Sequence, residues 1–271
     1  MSGQHTGTPV TEHSATVRGA RLAWSEQGAG AAVLFAHGLT ASGTSMEESG
    51  ALDWGPVARA GRRLVRCDAR GHGRSGGDPV PVQYTWPSLA EDLLALSSQL
   101  AGDAPVDGIG LSMGTATLLH AAVRAPGRFG RLVLTAPPTA WATRAAQAAQ
   151  YEAAATLVEH VGAAALEELT AAAPVPPVLA DLPDGASAPQ VAPGLLPSVL
   201  RGAAASDLPD EERLRALALP VLLLAWTGDP GHPLATAERL AALIPGARLH
   251  VAATPADLRS WGTLAADFLT G

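Results

Sequence analysis

Apolar runs of strand length recur along the chain, and between them apolar residues return every three or four positions. Residues 31–38, "AAVLFAHG", read as a short buried strand ending in a turn. Residues 62–75 give a second strand and then a Gly-rich loop. In 88–100, apolar residues at 89, 93, 94, 96 and 100 line one helical face, with Ser88 as N-cap and Glu91 completing a capping box. "VDGIGLSMG" reads as a strand and a sharp turn, followed by a helix that ends before Pro126. "RLVLTAPP", Val221–Trp226 and residues 247–252 give three more strands, with the helical stretch "PLATAERLAALIPG" between the last two. Strands that alternate with helices and are apolar throughout predict an α/β fold, a mostly parallel sheet flanked by helices on both faces.

The pattern changes between residue 137 and about residue 210. Two alanine-rich helical stretches, 143–161 and 163–173, lead into "PVPPVLADLPDGASAPQVAPGLLP", which has no strand signal. Ligands of such sheets bind at the carboxyl ends of the strands. A helical segment inserted there predicts a lid; a surface excursion without a role is the alternative. The expected organisation is a core in two parts, 1–136 and 211–271, with a helical lid over 137–210.

Composition narrows the chemistry. The chain has 271 residues, 47% of them hydrophobic, enough for one large domain or a core with an insertion. Net charge is -7, and all 18 basic residues are arginine. Without lysine, Schiff-base chemistry and a Walker-type phosphate loop are excluded. An acidic chain with no basic run is not expected to bind nucleic acid. Cys67 is the only cysteine, so an internal disulfide is excluded. No apolar run approaches the ~20 residues that span a bilayer, and "MSGQHTGTPVTEHSAT" lacks the apolar stretch of a signal peptide. The expectation is a soluble cytoplasmic protein with a small-molecule substrate and no membrane partner. Homo-oligomerisation is compatible with this composition. No Cys/His spacing suggests zinc. "GHGRSGG" lacks the G-x-G-x-x-G arrangement leading directly into a helix. Neither a metal nor an organic cofactor is expected.

The strongest local signal is Gly110-Leu-Ser-Met-Gly114, a G-x-S-x-G between a strand and a helix. A turn that tight strains the serine backbone, and side chains two before and two after it would clash. Ser112 then projects its hydroxyl above the sheet, at a helix N-terminus where developing negative charge is favoured. With "HG" at 37–38, "CDARGHGRS" at 67–75, "GLSMG", "RLVLTAPP", "PVLLLAWTGDP" and "AERLAALIPGARLHV" in that order, the chain resembles the α/β-hydrolase fold superfamily from about residue 15 to 269. The elbow resembles that of the enol-lactonase branch. The resemblance implies an oxyanion hole from the backbone N–H groups of Leu39 and Met113. It also implies structural roles for His37 and His72. His120 is expected to point away from Ser112, His5 and His13 to lie in a mobile tail, and His160 to lie in the lid.

A serine hydrolase also needs a base and an acid to orient it. In this family they follow the serine in the order acid, then histidine. Asp229, just past the strand Val221–Trp226, stands in the acid position, and "RLVLTAPP" carries no acid at its end. The histidine that the family places after the last strand is absent, and Ala256-Asp257 stands there instead. His250 falls too early, inside the strand. His232, in "WTGDPGHP", is the remaining candidate. In one reading it is the base for Ser112, oriented by Asp229 or by Asp257. In another it lines the pocket or caps the helix starting near Leu234. In a third Ser112 has no base at all. Two functions follow from these alternatives. One is hydrolysis of an ester, thioester or lactone of a moderately hydrophobic molecule through an acyl-Ser112. The other is a non-hydrolytic role: a binding protein, or an isomerase, lyase or cyclase.

Overall fold

The structure, a computed structural model, describes residues 9–172, 175–180 and 188–271. A single sheet of eight strands runs through it: β1 (Val10–Val17), β2 (Ala20–Gln27), β3 (Ala32–Ala36), β4 (Arg63–Cys67), β5 (Val106–Leu111), β6 (Phe129–Thr135), β7 (Val221–Trp226) and β8 (Arg248–Ala252). Their order is β1-β2-β4-β3-β5-β6-β7-β8. The first two form an antiparallel hairpin whose second strand meets β4 antiparallel. From β4 to β8 every pairing is parallel.

Each parallel connection carries helix. α1 (Ser45–Glu48) and α2 (Gly55–Arg59) join β3 to β4, α3 (Trp86–Ala101) precedes β5, and α4 (Met113–Arg124) follows it. Between β6 and β7 lie α5 (Arg144–Val161), α6 (Ala163–Ala171), α7 (Leu196–Ala204) and α8 (Glu211–Arg215). Next come α9 (Leu234–Leu243), α10 (Pro255–Arg259) and α11 (Trp261–Thr270). Successive residues of a strand point to opposite faces, and both faces are covered. Leu34 packs among residues of α3 and α4, while Val33 and Phe35 pack with Val57 of α2 and Trp261 of α11. β3, β5 and β7 are therefore buried along their whole length. Each buried Val, Leu or Phe contributes roughly 1.5–3 kcal/mol. The insertion has its own apolar cluster, in which Ala155 and Val158 of α5 meet Leu196, Val199 and Leu200 of α7 and Tyr84.

Several expectations are corrected. His13 is not in a loose tail; it lies in β1, its ring stacked on Trp24 at 5.6 Å. His5 falls outside the described residues. Helix α3 starts at Trp86, and neither Ser88 nor Glu91 caps it. Pro87 suits a first turn, since it lacks an N–H that would need a partner there. The Trp86 N–H donates to Ser206 Oγ at 3.0 Å, and Glu91 pairs with Arg18 and Arg124. The two alanine-rich stretches are helical, the second ending at Ala171; Ala173 lies outside the described residues. At the end of the Pro/Gly-rich region a further helix begins, α7, which the sequence reading did not identify.

Candidate active site

β3, β5 and β7 are parallel, so the loops leaving them open on one edge of the sheet. Ser112, Leu39 and Asp229 all lie on those loops.

β5 ends at Leu111 and α4 begins at Met113, so Ser112 alone makes the turn. Its φ of 52° and ψ of −109° are sparsely populated for a residue with a side chain. Both glycines are required. A Cβ on Gly114 would stand 1.9 Å from the Ala36 carbonyl oxygen, and one on Gly110 would stand 2.6 Å from the Thr115 nitrogen. Hydrogen bonds hold the strained turn closed. The Ser112 N–H donates to Thr135 O at 3.0 Å, and the Thr115 hydroxyl lies 2.9 Å from both Gly110 O and Thr135 O, sharing its one proton between them.

Asp229 and His232 occupy the two ends of a single turn. The His232 N–H donates to the Asp229 carbonyl at 3.2 Å, with Pro230 and Gly231 between them. The Gly231 N–H donates to Asp229 Oδ1 at 2.8 Å, closing an Asx turn. His232 Nδ1 lies 2.7 Å from Asp229 Oδ2, and Nε2 lies 2.8 Å from Ser112 Oγ. A carboxylate only accepts, so Nδ1 carries the proton; in the neutral ring Nε2 is then the acceptor for the Ser112 hydroxyl. The Trp226 indole N–H donates to Asp229 Oδ2 at 3.0 Å, and that indole stacks on Trp261 with ring centroids 5.4 Å apart. Burial pushes the Asp229 carboxyl up, but the His232 hydrogen bond and charge, with the Gly231 and Trp226 donors, outweigh it and hold the group at about 2. His232 does not cap α9, whose N-cap is Pro233.

Met113 is the first residue of α4, where a helix leaves its N–H without an internal partner. Leu39 follows Gly38, and a Cβ on Gly38 would stand 3.7 Å from Ser112 Cβ. Both backbone positions therefore adjoin the serine. His37 Nε2 accepts the Ala69 N–H at 2.9 Å, which leaves Nδ1–H to donate to Gly38 O at 2.8 Å. His72 Nδ1 donates to Arg70 O at 2.8 Å. Burial lowers the His37 imidazole; burial, then the neighbouring His37, takes His72 down to about 3. Both rings are neutral parts of the loop scaffold. His120 reaches away to Asp207 O at 2.8 Å, and His250 belongs to β8. Asp257 does not orient His232. Its Oδ2 accepts the N–H groups of Ala253 and Thr254 at 3.0 and 2.9 Å, capping α10 where the family histidine is missing.

An open cleft of about 520 Å³ lies beside Leu39, walled by Tyr151 and Ala154 of α5, Leu166, Glu167 and Glu168 of α6 and Leu200 of α7; Ser112 and His232 do not line it. The Gln190 N–H donates to Thr40 O at 2.7 Å, tying the insertion to the Leu39 loop. Two supports of the Asp229–His232 turn were not foreseen: the Trp226 indole and the Thr139 N–H, which donates to Gly231 O at 3.2 Å. Trp226 ends β7 just ahead of the acid, a placement that could have suggested its role. Nothing local marks Thr139.

Fold and site together define an α/β protein with a serine at a strand-to-helix elbow and an imidazole–carboxylate pair facing it. A model of the alpha/beta hydrolase family matches residues 33–257. Over 103 residues the chain is 36% identical to sn-1-specific diacylglycerol lipase ABHD11 of Mus musculus, covering 38% of this chain and 31% of that protein. Over 120 residues it is 32% identical to an epoxide hydrolase of Caballeronia sordidicola, covering 44% of this chain and 35% of that one. The matched stretch thus spans about a third of the length of these curated relatives. The crystal structure of the enol-lactonase from Burkholderia xenovorans LB400 is similar over 96% of this chain and 100% of that chain, with a TM-score of 0.67 and 26% identity. The chain belongs to the alpha/beta hydrolase family. Among the described residues, no helix is long and apolar enough to cross a membrane.

Proposed function

We propose that the protein is a serine hydrolase acting on an ester, thioester or lactone of a small, moderately hydrophobic molecule. The observation that carries this reading is the run of contacts Asp229–His232–Ser112, at 2.7 and 2.8 Å. His232 takes the Ser112 proton as Oγ attacks the substrate carbonyl. Asp229 fixes the ring tautomer and stabilises the imidazolium that forms. The N–H groups of Leu39 and Met113 receive the oxyanion, each worth about 3 kcal/mol in the transition state. His232 then returns the proton to the leaving oxygen or sulfur, and the acyl-Ser112 is hydrolysed by a water that His232 activates. Residues 137–210 act as a lid over a core built from 1–136 and 211–271, and the cleft beside Leu39 takes the substrate. No cofactor takes part in these steps.

The non-hydrolytic reading rests on the missing histidine after the last strand; an imidazole nitrogen 2.8 Å from the Ser112 hydroxyl supports the hydrolytic one. Labelling with a fluorophosphonate probe tests the proposal. Wild type is expected to label at Ser112, and Ser112→Ala and His232→Ala to lose labelling, with ester turnover falling by about 10⁴–10⁶-fold. Undiminished labelling of His232→Ala would eliminate that residue as the base.

A further inference from the structure

Arg144, the first residue of α5, is only 4% exposed and forms no ion pair among the described residues. A buried cation without a carboxylate partner is an unfavourable arrangement. Its neutral partners are specific. Nε donates to Ser206 O at 2.7 Å, one Nη to Ala203 O, and the other Nη to Thr139 Oγ1 at 3.2 Å. The guanidinium also lies 4.2 Å over the Trp86 ring and 5.3 Å from the Tyr151 ring. Burial lowers its pKa, and the Tyr151 charge and hydrogen bond, then the Asp207 charge, raise it.

The Thr139 contact leads into the site. Thr139 is itself buried, and its N–H donates to Gly231 O at 3.2 Å. Gly231 sits between acid and base, with its own N–H on Asp229 Oδ1 at 2.8 Å. A movement of Thr139 therefore moves the peptide that joins Asp229 to His232. We infer that Arg144 is a positioning residue: by holding Thr139 it fixes the Asp229–His232 turn, and so couples the seating of α5 and of residues 203–206 to the reach of His232 toward Ser112. An apolar side chain could fill the same space but could not bind Thr139 Oγ1.

This inference rests on the hydrolase reading above, and its test separates the two. The variants are Arg144→Met, Arg144→Lys, Thr139→Val and the Arg144→Met/Thr139→Val double variant. They are compared by p-nitrophenyl ester kinetics, fluorophosphonate labelling rate and the downfield proton resonance of His232 Nδ1–H. Misplacement of a base by a fraction of an ångström predicts a fall in kcat of about 10–100-fold for Arg144→Met, with KM within about 3-fold and labelling slowed in parallel. Thr139→Val is expected to lose about 3–10-fold, and the double variant no more than Arg144→Met alone, because the two act through one contact. Arg144→Lys is expected to recover part of the loss. Unchanged kcat in Arg144→Met, or effects that multiply in the double variant, would overturn the inference. If Arg144→Met fails to fold, Thr139→Val decides, and wild-type kcat there overturns it. If wild type itself neither turns over nor labels, the hydrolase reading falls first. The Nδ1–H resonance then decides the positioning role, which is lost if that signal is identical in Arg144→Met or, should this not fold, in Thr139→Val.

Discussion

Asp229 supports the fold and, in the proposed mechanism, the chemistry as well. Its carboxylate accepts from His232, Gly231 and Trp226 and is held at about 2. An unfolded aspartate titrates near ~3.9. The depressed group therefore favours the folded state fully above about pH 4, and that contribution is lost as the pH falls toward about 2. Between those limits the urea midpoint of wild type is expected to drop more steeply than that of Asp229→Asn, which has no charge to lose there. At neutral pH Asp229→Asn is expected to lower kcat on the order of 10³–10⁴-fold, since the amide can present the wrong hydrogen-bonding group to Nδ1. The residues at this site were legible to different degrees. Ser112 stands out because its two glycines are a local steric requirement, and Asp229 because it follows an unbroken apolar strand. His232 could be named as a candidate from its loop, but its 2.8 Å approach to Ser112 depends on how two distant segments pack. Thr139 and Arg144 carry no local mark, for Thr139 meets Gly231 and Arg144 meets residues 203–206 only once distant segments have packed.

At the level of elements, the elbow sets the tightest tolerance. Because a Cβ on Gly114 would meet the backbone of β3 at 1.9 Å, α4 and β3 would have to part to admit it. Gly114→Ala is expected to destabilise the fold by more than about 3 kcal/mol, read as a fall in the urea midpoint. β3 and β7 were evident in the sequence because burial on both faces leaves an unbroken apolar run. The hairpin β1–β2 was not. β1 is an edge strand exposed along most of its length, so it shows little alternation, and its turn is Arg18-Gly19 rather than an asparagine–glycine pair. α3 was found, but its start was misplaced because the Trp86 N–H is satisfied by Ser206, far along the chain. α7 was not identified, beginning as it does at the end of the Pro/Gly-rich region.

On the scale of the whole molecule, the insertion between β6 and β7 makes both the cleft wall and, through Arg144, a brace on the sheet edge. A volume of about 520 Å³ limits what can sit beside Leu39. Filling it with Ala154→Trp is expected to reduce kcat/KM for p-nitrophenyl octanoate on the order of tenfold relative to the acetate, measured side by side. The change in pattern after residue 137 marked where helices replace strands between β6 and β7, whereas the cleft depends on which helix faces which. The single turn from Asp229 to His232 bears on protein engineering. The proposed acid and base lie three residues apart on one turn closed by the Gly231 N–H on Asp229 Oδ1, so a graft of that peptide would carry their mutual spacing with it, while the Trp226 and Thr139 braces would have to be supplied by the host.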